Sequence, residues 1–418
     1  MLRNYLITAY KVFMRRKLFT AINLACIVLT LVVLMVITAM LETAFFPSGV
    51  EGKSDRMLQV LMVRMEGPGG HRISRSPLGF KLIDNYLKPL AGVERVAALT
   101  LPEAVSVYQG ERISPIDMRH VDADYWKVLD FKLLAGRLPT TQDDLGARQV
   151  AVINRSTARK LFGGTGDAVA SAVGQRINVG GQQLEVIGVV ADALHLNAYA
   201  DLWTPIASFP SSDYRQQLTG TFTALILARQ ASDLPRIQRE VARLATGVVA
   251  DDPAKWKTVT FWADRKLDLF ARTLFNNDTR ADSGATTLLA FVGGFMLVFM
   301  LLPALNLVNL NTGRILERRS EIGVRKAFGA TSATLAAQFV VENILLCLAG
   351  GVLALAAAAV VLAWIETSGL IPYLQIDMDW AVFGYGLGIA TVFGILSGVL
   401  PAWKMSRLDP VHALKGTI

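Results

Sequence analysis

The chain has 418 residues, 52% hydrophobic and 18% charged, a balance that places much of it in lipid. The formal net charge of +8 is not a nucleic-acid surface: residues 1–17, 311–331 and 404–418 hold thirteen of the 42 lysines and arginines but three of the 34 acids, so the basic excess flanks apolar spans. Two cysteines, Cys26 and Cys347, both inside apolar runs, exclude a disulfide framework and a cysteine metal site.

Residues 2–14 place Leu2, Tyr5, Leu6, Ala9, Tyr10 and Phe13 at helical spacing, which predicts an amphipathic helix on the cytoplasmic membrane surface within a segment 1–17. Leu18 to Leu41 is 24 residues without a charge, about 36 Å of helix, enough to cross a bilayer. It is too long for the apolar core of a signal peptide and has no A-x-A site, so a retained anchor over 18–46 is expected. Further spans are predicted at 284–310, 332–365 and 381–403. Pro303, Asn306 and Asn309 in the second suggest a kink with polar side chains near it.

The loop 366–380 carries Glu366, Asp377 and Asp379 and no lysine or arginine, while every other short flank is basic. Both termini, the loop 311–331 and the tail 404–418 are therefore expected in the cytoplasm, and residues 47–283 in the periplasm. The predicted fold class is a membrane α-helical protein, four transmembrane helices with N and C termini inside, carrying a large mixed α+β periplasmic domain between the first two.

In that domain, strands are predicted at Gln59–Arg64, Gln149–Ile153, Gln175–Val179, Gln182–Val190, Thr221–Leu227 and Thr258–Trp262, with Gly180-Gly181 as a two-residue hairpin turn. Helices are predicted at Pro77–Leu87, Ser156–Leu161 and Asp233–Leu244. Leu267, Phe270 and Leu274 suggest a helix over Asp264–Asp282 that continues into the second span as a stalk. Glycine and proline clusters at Glu66–Gly70 and Gly136–Gly146 read as surface loops.

Between the second and third spans the sequence reads N-T-G-R-I-L-E-R-R-S-E-I-G-V-R-K-A-F-G-A-T (Asn311–Thr331), with Gln338 and Glu342 following. Charge alone leaves a solvated basic loop and a short charged helix pressed on a partner equally open. The wording resembles the corresponding loop of the MacB/FtsX-like permeases, the type VII ABC transporters. Segments Val121–Arg137, Gln149–Gly163 and Gly174–Val190 are similar to that family's periplasmic core, and Pro401–Lys415 to its ending. The resemblance covers nearly the whole chain in the family's order.

The resemblance implies that 311–331 is a coupling helix docking on a cytoplasmic ATPase, with Glu317, Arg318, Arg319, Glu321, Ile322, Arg325, Lys326 and Phe328 as contact residues. It further implies two copies of that ATPase and a second permease subunit, identical or paralogous, in the bacterial inner membrane, with an adaptor and outer-membrane duct if the task is efflux. Work is done on the periplasmic side by mechanotransmission. Export of a drug, peptide or toxin is the expected task; lipoprotein extraction or activation of a cell-wall hydrolase is the alternative. A membrane-anchored sensor or scaffold is the rival from another class.

The chain has no G-x-x-x-x-G-K-[ST] phosphate loop, so no cofactor is expected on it, and ATP and magnesium belong to the partner ATPase. His71, His120, His195 and His412 have no metal-pair spacing, and nothing resembles a hydrolase motif. A non-catalytic subunit follows. Glu342 is the one acid well inside a span, with Gln338 a turn before it and Asn343 beside it; a structural or coupling role is favoured over a proton site. Gly384 with Gly388, and Gly394 with Gly398, form G-x-x-x-G pairs that suit close helix packing within the subunit or across a dimer.

Overall fold

The structure, a computed structural model, describes residues 14, 17–109, 112–163, 168–193, 195–317, 324, 328 and 331–368, with seven further positions between 384 and 395. The expected surface helix at 2–14, most of the fourth span and the tail lie outside the described residues. The chain separates into a helical unit and an α/β unit of Thr43–Leu288.

In the helical unit, Lys17–Phe45 is one uninterrupted helix, as expected of a run without glycine or proline. The helix Ala285–Glu317 does not stop at Leu310: it carries seven residues of the charged segment, Asn311–Glu317, in the same helix. Ser332–Thr367 starts where Thr331 Oγ1 accepts the Thr334 N–H at 3.3 Å, an N-cap that closes the preceding segment. Among the described residues, Thr20–Phe45 (mean hydropathy 3.0) and Val340–Thr367 (2.7) are long and apolar enough to cross a membrane. Ile27, Leu31 and Met35 of the first helix cluster with Leu346, Cys347, Ala354 and Ala358 of the latter. The backbones come close: a Cβ on Gly350 would lie 2.6 Å from Ile27 Cγ2.

The strands of the α/β unit are β1 (Met57–Val60), β2 (Met62–Glu66), β3 (Ile73–Pro77), β4 (Val93–Thr100), β5 (Glu103–Gln109), β6 (Arg112–Val121), β7 (Leu133–Gly136), β8 (Val150–Asn154), β9 (Arg176–Val179), β10 (Gln182–Val190), β11 (Leu202–Pro205), β12 (Phe222–Ala228) and β13 (Thr258–Phe261). A small antiparallel sheet runs β13-β2-β3, and a ten-stranded sheet runs β1-β12-β4-β6-β11-β8-β10-β9-β5 with β7 on β10. Because β5 pairs with both β9 and β6, the six strands β6-β11-β8-β10-β9-β5 close on themselves. The ring encloses Val107, Ile116, Ile153, Ile177, Leu184, Val186 and Leu202, with Ala158 and Leu161 of the helix Arg155–Phe162 packed into the same core. Closure removes free edges from the ring, which an open sheet must otherwise protect.

The open arm β1-β12-β4 and the small sheet share a second core with the helix Leu234–Gly247, whose Leu234, Ile237, Val241 and Ala245 are buried. Between the cores, Tyr125, Trp126, Phe131 and Trp203 pack edge to face at centroid distances of 5.0–5.9 Å.

Most predicted elements are present within a residue or two, including the helix Arg155–Phe162 and the hairpin between β9 and β10, where Gly180 and Gly181 take φ of +56° and +90°. Three expectations are corrected. Gln59–Arg64 is two strands: β1 is buried at every position and joins the large sheet, and after Leu61 the chain crosses to the small one as β2. Gly136–Gly146 is no open loop: Gly136 pairs with Gly188, and Thr141–Leu145 is a helical turn closed by a Thr140/Asp143 capping box, with Asp143 buried against Arg137 at 2.7 Å. The stalk is not continuous either. The helix spans Lys266–Phe275 and ends at Asn276 in the left-handed conformation (φ +52°), and the next begins at Ala285. Its buried side is Leu269, Ala271 and Arg272, while Phe270 and Leu274 are exposed.

Candidate functional site

The most elaborate polar construction in the α/β unit lies where the chain leaves the first helix and enters the second. The helix Lys266–Phe275 takes hold of both connections, and we call it the anchor helix. Lys266 and Phe270, one turn apart, face the outgoing chain; Asp268 and Arg272, also one turn apart, face the incoming one.

On the first side, Lys266 forms a buried ion pair with Glu51, which sits in the 3-10 turn Gly49–Glu51, and reaches toward the Ala44 carbonyl at 3.5 Å. Phe270 meets Phe45 edge-on at 5.5 Å. The other Glu51 oxygen accepts the Asn197 N–H at 3.0 Å, and His195 Nε2 lies 3.0 Å from Ser48 Oγ. Burial pushes the His195 imidazole below its ordinary range, so the ring is neutral near pH 7 and serves as a hydrogen-bond partner.

The segment 195–199 passes this contact inward. Arg119, whose guanidinium is buried, donates to the carbonyls of Tyr199 (2.7 Å), Leu196 (2.8 Å) and Thr100 (3.0 Å). Tyr125 Oη donates to the Asn197 carbonyl at 2.9 Å and receives Trp203 Nε1–H at 3.2 Å. Glu51 is thereby one backbone segment away from the aromatic core.

On the second side, Arg272 grips Asp264 with two hydrogen bonds (2.7 and 3.1 Å) and donates to the carbonyls of Arg280 (2.7 Å) and Ala281 (3.3 Å). Burial pushes the Asp264 carboxyl up and the guanidinium beside it pulls the other way. Ser283 Oγ donates to Asp268 at 2.6 Å, and Trp262 Nε1 donates to the Asp278 carbonyl at 2.8 Å. Asp264 also exchanges backbone hydrogen bonds with Gln59 of β1 at 2.8 and 2.9 Å, which ties the clamp to the large sheet. Each side thus carries a buried, charged pair, Lys266 with Glu51 and Arg272 with Asp264.

Of the residues singled out from sequence, Arg318, Arg319, Glu321, Ile322, Arg325, Lys326, Gly394 and Gly398 lie outside the described residues. Glu317 closes the helix Ala285–Glu317, and Phe328 is exposed, its N–H bonded to the Val324 carbonyl at 3.0 Å. Gln338 donates to Glu342 at 3.1 Å, one turn along the same helix, and both Glu342 and Asn343 are buried. Around Gly384 and Gly388 a Cβ would meet nothing within 4 Å, whereas Gly350 and Gly351 have close neighbours in Ile27 and Leu387. The anchor residues escaped the sequence reading. A lone Glu51 and a lone Lys266 carry no local pattern, and only the fold puts them together.

An α/β unit, Thr43–Leu288, lies in the chain between apolar helices, and its helix Lys266–Phe275 bonds to the segments near both of its ends. The profile of the MacB-like periplasmic core domain matches residues 20–244, and that of the FtsX-like permease C-terminal matches residues 293–410. The chain belongs to the MacB/FtsX-like ABC transporter permease family. It is 25% identical over 335 residues to the uncharacterized ABC transporter permease YknZ of Bacillus subtilis (strain 168), covering 79% of this chain and 77% of that one. It is 24% identical over 302 residues to the macrolide export ATP-binding/permease protein MacB of Salmonella typhi, covering 72% of this chain but only 43% of that protein's length. Among solved structures, the extracellular domain of the noncanonical ABC-type transporter YknZ from Gram-positive bacteria aligns with 48% of this chain at TM-score 0.36 and 20% identity, over 98% of the solved chain. The periplasmic region of MacB from Actinobacillus actinomycetemcomitans aligns with 55% of this chain and 97% of its own, at TM-score 0.39 and 16% identity.

Proposed function

We propose that this chain is a permease subunit of a type VII ABC transporter that turns ATP hydrolysis in a separate ATPase into movement of its α/β unit, and that it does no chemistry itself. In this reading four helices cross the inner membrane at 18–46, 284–310, 332–365 and 381–403, both termini face the cytoplasm, and residues 47–283 work in the periplasm. Two such subunits, identical or paralogous, pair with two ATPase copies that bind ATP and magnesium. Gly384, Gly388, Gly394 and Gly398 serve close helix packing, within the subunit or across that pair.

The observation that carries the reading is the anchor helix. A unit meant only to bind a ligand needs no stiff joint to the membrane, whereas a unit driven by helix movement does. Here one helix holds the outgoing chain through Lys266 and the incoming chain through Arg272. Force enters at the charged segment, where Glu317, Arg318, Arg319, Glu321, Ile322, Arg325, Lys326 and Phe328 meet the ATPase. The cargo is a drug, peptide or toxin exported with an adaptor and an outer-membrane duct, a reading supported by the macrolide-export relative.

The deciding experiment is purification of the tagged permease in mild detergent, reconstitution in nanodiscs, and ATPase assay with and without Glu321→Ala and Arg325→Ala. A co-purifying ATPase whose activity depends on those residues is the expected result. Retention of full ATPase coupling in both variants would overturn the residue assignment, and absence of any ATPase with a folded permease would favour a sensor or scaffold. Co-purification of an adaptor separates efflux from lipoprotein extraction or hydrolase activation.

A further inference from the structure

Beside the anchor helix lies a half-open cavity of about 360 Å³ within the α/β unit. Its wall combines Leu269 of the anchor helix, Val60 and Leu61 beside β1, Leu101, and Ala224 and Leu225 of β12. The volume is in the range of small-molecule sites, about 300 to 1,000 Å³. Leu101 and Leu196, both on the wall, remain exposed.

The polar groups on this wall are unusual. The charged one, Arg119, is already spent on the carbonyls of Tyr199, Leu196 and Thr100. By contrast, Gln59 and Asn197 are 4% and 6% exposed, and the side-chain amide nitrogen of each finds no hydrogen-bond partner among the described residues. A buried amide without a partner is costly, and rotating it exchanges an unmet donor for an acceptor without curing the defect. Two such amides on the wall of one apolar cavity call for a guest that is itself mostly apolar.

We propose that this cavity is a binding site for a neutral, largely hydrocarbon molecule bearing an ester or amide, whose polar group satisfies Gln59 and Asn197 while its chain lies along Leu61, Leu101, Leu225 and Leu269. Each guanidinium nitrogen of Arg119 already donates to a backbone carbonyl, so the guest's polar group is assigned to the two amides. Leu269 lies on the helix whose Lys266 and Phe270 meet Ala44 and Phe45, and the hydrocarbon guest comes either from a lipid or from a soluble ester. The proposal concerns binding alone and stands apart from how the ATPase is coupled.

The test uses the full chain in nanodiscs and two photoreactive probes, a diazirine-bearing diacylglycerol built into the bilayer and a diazirine-bearing lauric acid methyl ester added from solution. Peptides containing residues 59–61, 101–102, 196–199 and 223–225 should be labelled, and excess methyl laurate should abolish the labelling. Labelling by the first probe identifies a membrane lipid as the source, and labelling by the second alone identifies a soluble one. Gln59→Leu should weaken competition by methyl laurate on the order of tenfold, the loss of one hydrogen bond to a buried group, and leave competition by dodecane unchanged. Leu101→Trp, at an exposed position that folding tolerates, should reduce labelling by both probes. No labelling of those peptides, labelling that excess ester does not compete, or equal loss of ester and dodecane binding in Gln59→Leu overturns the proposal.

Discussion

Lys266 and Glu51 form an ion pair whose side chains are almost wholly removed from solvent, across the point where the chain leaves its first membrane helix. Such a pair contributes little net stability when compared with apolar residues of the same size, yet loss of one partner strands the other charge. Glu51→Gln or Lys266→Met should each lower the stability of the folded chain by about 3 to 5 kcal/mol. The double variant Glu51→Leu with Lys266→Met should recover much of that. Thermal unfolding in nanodiscs, read by tryptophan fluorescence, provides the comparison; additive losses would show that the two charges act separately.

Arg272 is expected to govern the order of the chain just before the second helix. Without its guanidinium, Asp264 is left buried beside no cation and the carbonyls of Arg280 and Ala281 lose their donor. Arg272→Ala should therefore open 276–283 to protease, with trypsin cutting after Arg280 several-fold faster than in the parent chain. Arg272→Lys should restore little, since an ammonium cannot bridge Asp264 and two carbonyls in one plane. An unchanged cleavage rate in both variants would contradict the clamp.

The approach of Gly79 to the 217–218 backbone leaves no room for a side chain. A Cβ there would fall 1.8 Å from the Gln217 carbonyl oxygen, and Gly79 N–H donates to the Leu218 carbonyl at 2.7 Å. Gly79→Ala should cost about 1 to 3 kcal/mol through overpacking against rigid backbone. Gly247→Ala, where a Cβ meets nothing within 4 Å and φ is not positive, serves as the comparison for local backbone effects alone. Equal melting temperatures for the Gly79 variant and the parent would refute the contact.

One buried acid, Asp122, and one half-buried acid, Asp144, make the α/β unit sensitive to pH in a defined direction. Burial pushes Asp122 up to about 7 and Asp144 up to about 6, from an ordinary value of 3.8. A carboxyl whose pKa is raised by folding binds more protons in the folded state between those values. Its contribution is therefore fully present below about pH 4 and is lost as pH rises to about 7. Asp122→Asn keeps an oxygen for the Tyr125 N–H (3.1 Å) and leaves Lys88 paired with Asp84 (3.3 Å). It should flatten the fall in melting temperature between pH 4 and 7 and raise the melting temperature at pH 8. A steeper fall in the variant would reverse the assignment.

How much of this was legible without coordinates follows from the range of each interaction. The strand β10 and the helix Leu234–Gly247 were readable because their apolar residues recur with the period of one element, and the β9–β10 hairpin because both turn residues are glycines next to each other. The helix Ala285–Glu317 was readable in its apolar part only; the seven residues Asn311–Glu317, of which Arg314 and Glu317 are charged, continue it. The short strands β3, β7 and β11 carry too few residues for a pattern, and β5 is a ring member only because β9 and β6 both reach it.

The amino-acid sequence by itself determined the apolar spans, the concentration of positive charge beside them and the family of the chain, since these depend on composition and on patterns within one segment. Only the tertiary structure decided that the chain stalk is interrupted at Asn276, that six strands close into a ring, and that Glu51 meets Lys266 while Arg272 meets Asp264. Single charged residues have no period, and a pair drawn from opposite ends of a large unit acquires its meaning when burial removes the water that would otherwise screen each charge from the other.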